Sequence, residues 1–298
     1  NIKYGVTFSP KYGTSLGFNW QELYIRILDE LTVRYLRIPS YWDEAQPQSQ
    51  NYDFSQTDFM VDEAGKREAK IILVLGARQP RWPECHIPNW AKNLSLANSQ
   101  QTILQFVEAV VIRYKDNPAI SAWQVENEPL LRFFGQGCDT PDVSFLREEV
   151  ATVRKKTIKP IIVTDSGELG LWITPMKISD IFGTTLYRQT FNRFYGYSSY
   201  PSLPDFYNLK SDIVKSIFAP KNQKTIIVEL QAEPWLANGV RNTPTGQQIS
   251  LFSVKSFERN INFAKATGFD EIYLWGVEWW FWIEKQGNSS YLDYAKTL

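Results

Sequence analysis

The chain has 298 residues, and its 32 Lys and Arg balance 32 Asp and Glu. A net charge of zero gives no electrostatic grip on nucleic acid or an anionic membrane, so the expected ligand is a neutral one. The single histidine, His86, excludes a Ser-His-Asp triad and a metal site built on several imidazoles, and no cofactor is expected.

Strand-like and amphipathic helical runs alternate in chain order. A strand over 4–8 precedes a helix with Asn19 as cap, Glu22 at N3, and Trp20, Leu23, Ile27 and Leu31 on one stripe. A second strand, 33–39, leads to a helix over 55–69, and a third, 70–75, reads as the buried run of a parallel sheet. The next helix spans 99–114, with Ile103, Phe106, Val107, Val110 and Tyr114 on its apolar face. A fourth strand, 120–127, is followed by a helix with Thr140 as cap and Pro141 at N1. Strands at 161–165 and 181–187 flank a short helix starting near Pro175, and an aromatic loop then leads to a helix over 204–218. The seventh strand, 225–229, precedes a helix starting at Thr245 with Gln248 completing a capping box. The eighth strand, 271–275, is followed by a last amphipathic stretch over 289–298. Eight strand–helix units without repeat or linker predict an α/β fold, a (β/α)8 TIM barrel forming one catalytic domain over 1–298. The alternative is an open doubly wound sheet. Such a sheet carries a Gly-rich phosphate loop after its first strand when it binds nucleotides, and none is present.

Barrel chemistry sits at the C-terminal strand ends, so acids there are the candidates. The fourth strand ends Gln124-Val125-Glu126-Asn127-Glu128-Pro129, and the seventh ends at Glu229 where the β-branched run stops. Alternation puts Glu126 and Glu128 on one side, with Pro129 leaving Glu128 at the mouth. The two strand ends are expected to face each other from opposite sides of the barrel. A pair of carboxyl groups ~5–5.5 Å apart suits cleavage of a glycosidic bond with retention.

These residues resemble the signature of glycoside hydrolase clan A, the retaining (β/α)8 enzymes that include the family 5 cellulases and mannanases. The resemblance rests on Asn127-Glu128-Pro129, on Glu229, on Arg37 in Leu36-Arg37-Ile38-Pro39, and on Tyr52-Asp53-Phe54. It implies Glu128 as acid/base, Glu229 as nucleophile, Arg37 as support for the nucleophile and Asn127 as binder of the sugar 2-hydroxyl. It further implies that Tyr187 hydrogen-bonds the nucleophile and that Trp275 forms a platform under the cleaved sugar. Physically, an arginine beside Glu229 holds it ionised, while burial and a like-charged neighbour keep Glu128 protonated.

Several further residues are candidates for lining the site. Trp42 lines the mouth or packs as a rim aromatic. Glu233, a rival nucleophile in a loop position four residues past the strand end, and its neighbour Trp235 are candidate sugar contacts. Glu278, in the Trp-rich run 276–282, lines a subsite or caps a loop, and His86 is a ligand-lining or a structural residue. Glu126 is read as a structural ion-pair partner. The 11 Trp, 15 Tyr and 18 Phe exceed what a core requires, and aromatic loops suit the apolar faces of sugar rings. The loop holding Phe191, Phe194, Tyr195, Tyr197, Tyr200 and Tyr207 is a rim cluster or a substrate wall. Cys85 and Cys138 follow neighbouring strands, leaving a disulfide and two thiols both open; a disulfide argues for an extracytoplasmic protein. No apolar run reaches the ~18 residues of a membrane span. A signal peptide is not seen in this chain, which starts at Asn1, and the expectation is a secreted or extracytoplasmic monomer whose leader or anchor lay upstream. The expected activity is that of a retaining β-glycosidase or endo-glycanase on a neutral β-linked glucan or mannan. The alternatives are a transglycosylase with the same carboxylate pair and a non-catalytic carbohydrate-binding barrel.

Overall fold

The computed structural model describes residues 2–132, 134–137 and 142–298. Eight strands form a closed parallel barrel: β1 (Lys3–Thr7), β2 (Tyr35–Pro39), β3 (Lys70–Leu75), β4 (Ile120–Val125), β5 (Ile161–Asp165), β6 (Ile181–Leu186), β9 (Lys224–Gln231) and β10 (Glu271–Trp275). Between β6 and β9 lie the two short strands of a hairpin, β7 (Gln189–Asn192) and β8 (Gly196–Ser199). The barrel order is β1-β10-β9-β6-β5-β4-β3-β2, so β1 and β10 close the ring, with Thr7 paired to Trp275. Each of the first seven barrel strands is followed by a helical connection that returns the chain to the sheet, and the last, β10, pairs with β1 to close the ring.

Two apolar clusters fill the structure. The larger packs the outer strand faces against the helices and includes Leu36, Leu73, Val125, Ile227 and Leu274. The smaller plugs the barrel axis with Ile72, Ala122, Ile162, Ile226, Val228 and Tyr273. At the C-terminal mouth the buried residues become polar, with Arg37, Gln124, Thr164 and Glu229 all nearly solvent-free. The strands thus deliver their last inward side chains to a floor of apolar atoms.

Local sequence explains most helices and their limits. Asn19 caps Trp20–Glu30 by accepting from the Gln21 and Glu22 amides, as its pattern predicts. The helix after β4, Val143–Arg154, is capped by Asp142, whose side chain accepts from the Phe145 amide at 2.7 Å. The expected cap Thr140 and Pro141 lie outside the described residues. The capping box at Thr245 does not form. Gln248 is instead buried, donating to the Val240 and Thr243 carbonyls and accepting from the Trp279 indole. The helical stretch there breaks in two, Thr245–Leu251 and Val254–Ala266, with Ser253 capping the second by accepting from the Ser256 amide. Val277–Lys285, a Trp-rich run without helical periodicity in sequence, is also a helix. Its Val277, Glu278, Trp279, Trp280, Phe281 and Ile283 are all buried, so no polar face marks the period. The aromatic loop after β6 contains the antiparallel hairpin β7–β8, whose strands pair with each other. No helix among the described residues is long and apolar enough to cross a membrane.

Gly276, directly after β10, has φ +137°, and an added Cβ would lie 2.7 Å from Glu233 Cβ and 2.9 Å from the Ala232 backbone. Gly276→Ala is therefore expected to lower stability by about 1–3 kcal/mol. Thermal unfolding followed by circular dichroism checks it, and an unchanged midpoint contradicts the tight strand-end packing.

Candidate active site

The tip of β4 leaves strand geometry as soon as Val125 is passed. Glu126 and Glu128 take left-handed backbone conformations, φ 57° and 43°, so the side-to-side alternation read from sequence does not hold there. Glu126 turns onto the loop after β3, where its carboxylate accepts from the amides of Ala77 (2.8 Å) and Arg78 (2.5 Å). It forms no ion pair among the described residues; two backbone donors replace the expected partner. Glu128 is anchored by its own amide, which donates to Thr164 Oγ1 at 2.8 Å, and its Oε1 accepts from Thr185 Oγ1 at 3.2 Å.

Thr185 on β6 is the register partner of Glu229 on β9, so one β6 residue links the two carboxyl groups. Glu229 accepts from Arg37 Nη1 (2.9 Å) on one oxygen and from the Tyr187 hydroxyl (2.8 Å) on the other. Both acids line a single cleft of about 1320 Å³ at the barrel mouth. Two strands, β5 and β6, stand between β4 and β9, so the acids reach the cleft from walls three strands apart and not from opposite sides.

The surroundings of the two acids differ. Glu229 holds a cation, since Arg37 is fully buried and its guanidinium also reaches Gln124 Oε1 (2.7 Å) and Asn127 Oδ1 (2.6 Å). Glu128 is 6% exposed and forms no salt bridge with any described residue. Burial, the charge of Glu229 and then that of Glu84 hold its carboxyl well above the usual glutamate range. Burial and the two carboxylates likewise push the Tyr187 phenol up, which keeps its proton available for Glu229.

The loop after β3 supplies residues that sequence reading passed over. Arg81 is clasped by Glu233 and Glu278, and its guanidinium lies 3.9 Å from the Tyr12 ring and 4.0 Å from the Trp275 ring. After the cis Trp82–Pro83 bond comes Glu84, 3% exposed, whose Oε2 accepts from Asn127 Nδ2 at 3.1 Å. Burial and the charge of Glu229 push the Glu84 carboxyl up to about 7. Burial raises Glu168, on the loop after β5, to about 7 as well; it accepts from the Tyr187 amide (2.9 Å) and the Tyr207 hydroxyl (2.8 Å). Glu168, three residues past β5, is open to a survey of every polar residue near a strand end, whereas Arg81 and Glu84 lie deep in the loop after β3, where no such signal reaches them. Gln124, a polar side chain inside a buried strand, carries its own signal.

The expected lining residues divide into two groups. Tyr187, Glu233, Trp235 and Trp275 border the cleft. Glu233 is ion-paired to Arg81 and accepts from the Tyr12 hydroxyl at 3.2 Å, and Trp275 carries Arg81 over its ring. Trp235 packs edge-on to Tyr187 (5.4 Å) and near Phe134 (5.9 Å), extending an aromatic wall that ends in the 62% exposed Trp82. Phe191, Tyr195 and Tyr200, on or beside the hairpin, line the same cleft. Trp42, by contrast, is solvent-free, donates to Gln46 and packs on Trp90 and Phe106, because the turn after β2 rolls it into the core. Glu278 is also solvent-free, held by Arg81 and the Ser9 amide (2.6 Å), and so braces the site from beneath. His86 is locked against Tyr41, with Lys11 near Nδ1 and the Arg81 carbonyl at Nε2, and does not face the cleft. Asn127 is 1% exposed behind Glu84. Cys85 is disulfide-bonded, and Cys138 lies outside the described residues.

A sequence model of the glycoside hydrolase 42 family, described as β-galactosidase, matches residues 18–159, a stretch that includes Arg37, Asn127 and Glu128. The chain resembles the clan A glycoside hydrolases. Mannan endo-1,4-β-mannosidase F of Aspergillus fumigatus is 28% identical over 129 residues, 39% of this chain and 27% of that protein. The match thus spans about a quarter of that relative's length. Among solved structures, a GH5_18 protein of Bifidobacterium longum subsp. longum in complex with Manβ1-4GlcNAc superimposes with a TM-score of 0.65 at 11% identity, covering 92% of this chain and 69% of the other. The β-galactosidase of the psychrophilic Marinomonas ef1 gives a TM-score of 0.64 at 14% identity, covering 92% and 54%. These two likenesses, at low identity, are likenesses of fold.

Two measurements probe this clan A-like site. Arg37→Met leaves Glu229 buried without its cation and is expected to cost about 3–5 kcal/mol, read by urea unfolding; an unchanged midpoint removes Arg37 from its central place. Glu168 has a raised pKa in the folded state, so the fold binds the extra proton and loses stability as pH rises from about 4.5 to about 7. Glu168→Gln keeps an acceptor oxygen and removes that loss. Its stability relative to wild type is expected to rise by on the order of 1–3 kcal/mol across this interval. A pH-independent difference contradicts the assignment.

Proposed function

We propose that the chain is a retaining glycoside hydrolase that cleaves β-glycosidic bonds in a neutral glycan of the β-mannan or β-glucan type. The observation that carries this reading is the pairing, in one cleft, of a cation-held glutamate with a buried glutamate that is pushed towards its protonated form. Glu229 Oε2, positioned by Tyr187, attacks the anomeric carbon while Glu128 delivers its proton to the departing glycosidic oxygen. The products of this step are a glycosyl ester on Glu229 and a free alcohol. Glu128, now a carboxylate, takes a proton from water, whose oxygen attacks the same carbon and releases Glu229. Two displacements restore the original anomeric configuration.

The substrate class is supported by the mannosidase relative and by the glycan Manβ1-4GlcNAc in the GH5_18 neighbour. The aromatic wall of Trp82, Phe134 and Trp235 offers flat apolar faces to further sugar rings. The disulfide at Cys85 supports a location outside the reducing cytoplasm.

Glu128→Ala and Glu229→Ala are each expected to lower kcat on β-mannan or β-glucan oligosaccharides by at least about 10²–10⁴-fold. With azide and an activated aryl β-glycoside, Glu128→Ala yields the β-glycosyl azide and Glu229→Ala the α-anomer. Proton NMR of the first wild-type product is expected to show the β-anomer, and an initial α-product overturns the mechanism. The basic limb of kcat/KM is expected above the ordinary glutamate value of 4.5, because the general acid must still hold its proton.

A further inference from the structure

We propose that Glu84 holds the 2-hydroxyl of the sugar lying against Glu229, and that it thereby selects between substrates differing in configuration at C2. The inference rests on the glycosidase reading above and adds a specificity residue to it. The side chain expected to meet that hydroxyl, Asn127, is not a lining residue of the cleft, and one of its two Nδ2 N–H groups is turned to Glu84. Its Oδ1 is occupied by Arg37 Nη2 (2.6 Å) and Gln124 Nε2 (3.3 Å), its Nδ2 donates to Glu84 Oε2 (3.1 Å), and it is 1% exposed. Glu84 stands between Asn127 and the cavity and borders the cleft.

The Glu84 carboxyl has the valence for this contact. Asn127 satisfies Oε2, whereas Oε1 accepts no hydrogen bond from any described residue and is not among the sealed, partnerless atoms. An acceptor left open on a 3% exposed carboxyl at a cavity wall is met by water when no ligand fills the cleft, and a ligand that displaces this water has to supply a donor in its place. The backbone fixes its aim. The Glu84 amide donates to the Arg81 carbonyl (2.8 Å), its carbonyl accepts from the Gln79 amide (2.7 Å), and φ is +73°. Glu84 lines the same cleft as Glu128 and Glu229, and its partner Asn127 shares the Arg37 guanidinium with Glu229, so the group sits beside the position of the reacting carbon. The hydroxyl nearest that carbon, other than the leaving oxygen, is the one on C2. Contacts to it strengthen as positive charge develops at the anomeric centre, and a carboxyl acceptor serves that change well.

A residue that only braces Asn127 slows all substrates alike, whereas a residue touching O2 changes the ratio between C2 epimers. The test therefore measures kcat/KM of wild type, Glu84→Gln and Glu84→Ala on the 2,4-dinitrophenyl β-glycosides of glucose, mannose and galactose. Both variants are expected to move the gluco:manno ratio roughly ten- to hundredfold, the worth of one hydrogen bond to a charged group, while gluco:galacto stays within about twofold. A uniform fall with both ratios unchanged overturns the proposal and leaves the glycosidase reading intact. No turnover of any glycoside or β-mannan by wild type overturns that reading and the role of Glu84 together. Should the Gln and Ala variants fail to fold, Glu84→Asp, which keeps the charge and shortens the reach, is read by the same ratios.

Discussion

A single buried guanidinium organises the barrel mouth. Arg37 is solvent-free, and desolvating such a charge is tolerable only when its donors are met; here they are met by β4 (Gln124), the β4 tip (Asn127), β9 (Glu229) and, weakly, β1 (Thr7). Apart from the contact to Thr7 on neighbouring β1, these join strands that are not neighbours in the ring, so the orientation of the Glu229 carboxylate is set by barrel closure itself. Remove the cation and a buried carboxylate is left near Glu84 and Glu128 with the Tyr187 hydroxyl as its remaining donor among the described residues. The unequal environments of Glu128 and Glu229 are thus one electrostatic fact seen from two sides.

The second shaping element is the loop 76–86. It receives the carboxylate of Glu126 through the Ala77 and Arg78 amides, threads Arg81 between the rings of Tyr12 and Trp275, and presents Glu84 to the cavity. Gly76 is required where it starts, since any side chain there would collide with Glu126. Four non-glycine residues with left-handed backbone, Arg81, Glu84, Glu126 and Glu128, concentrate at this one corner. Such conformations cost on the order of 1–3 kcal/mol each and persist where the surrounding contacts over-determine them. Here those contacts are the hydrogen bonds of the site.

Much of the fold was legible because its signals are local. Residues 70–75, 161–165, 204–218 and 271–275 are bounded apolar or amphipathic runs, and the elements observed there have the predicted limits. Val277–Lys285 escaped because a helix buried all round has no polar stripe, and the break near Ser253 escaped because it comes from packing of Gln248 beneath Trp279. For the site, Glu229 stood out as an acid where a β-branched run stops, and Glu128 as an acid left at the strand tip by Pro129. The relation of Glu84 to Asn127 was invisible, since it spans 43 positions and depends on left-handed backbone that no periodicity encodes. Trp42 and Glu278 misled for the converse reason: residue types that suit a sugar also suit a core or a buried ion pair.

The β7–β8 hairpin has an architectural corollary. Its strands form no ladder with any barrel strand; the side chain of Gln231 on β9 ties it down, accepting from the Gln189 amide (3.0 Å) and donating to the Gln189 carbonyl (2.7 Å), and Phe191 and Tyr195 reach the cleft from it. Lengthening or shortening the flap beyond Gln189 leaves every rung of the ring untouched and alters the shape of the cleft at that rim. Insertions and deletions can therefore reshape that rim at low cost, on a part of the molecule that meets β9 through the side chain of Gln231.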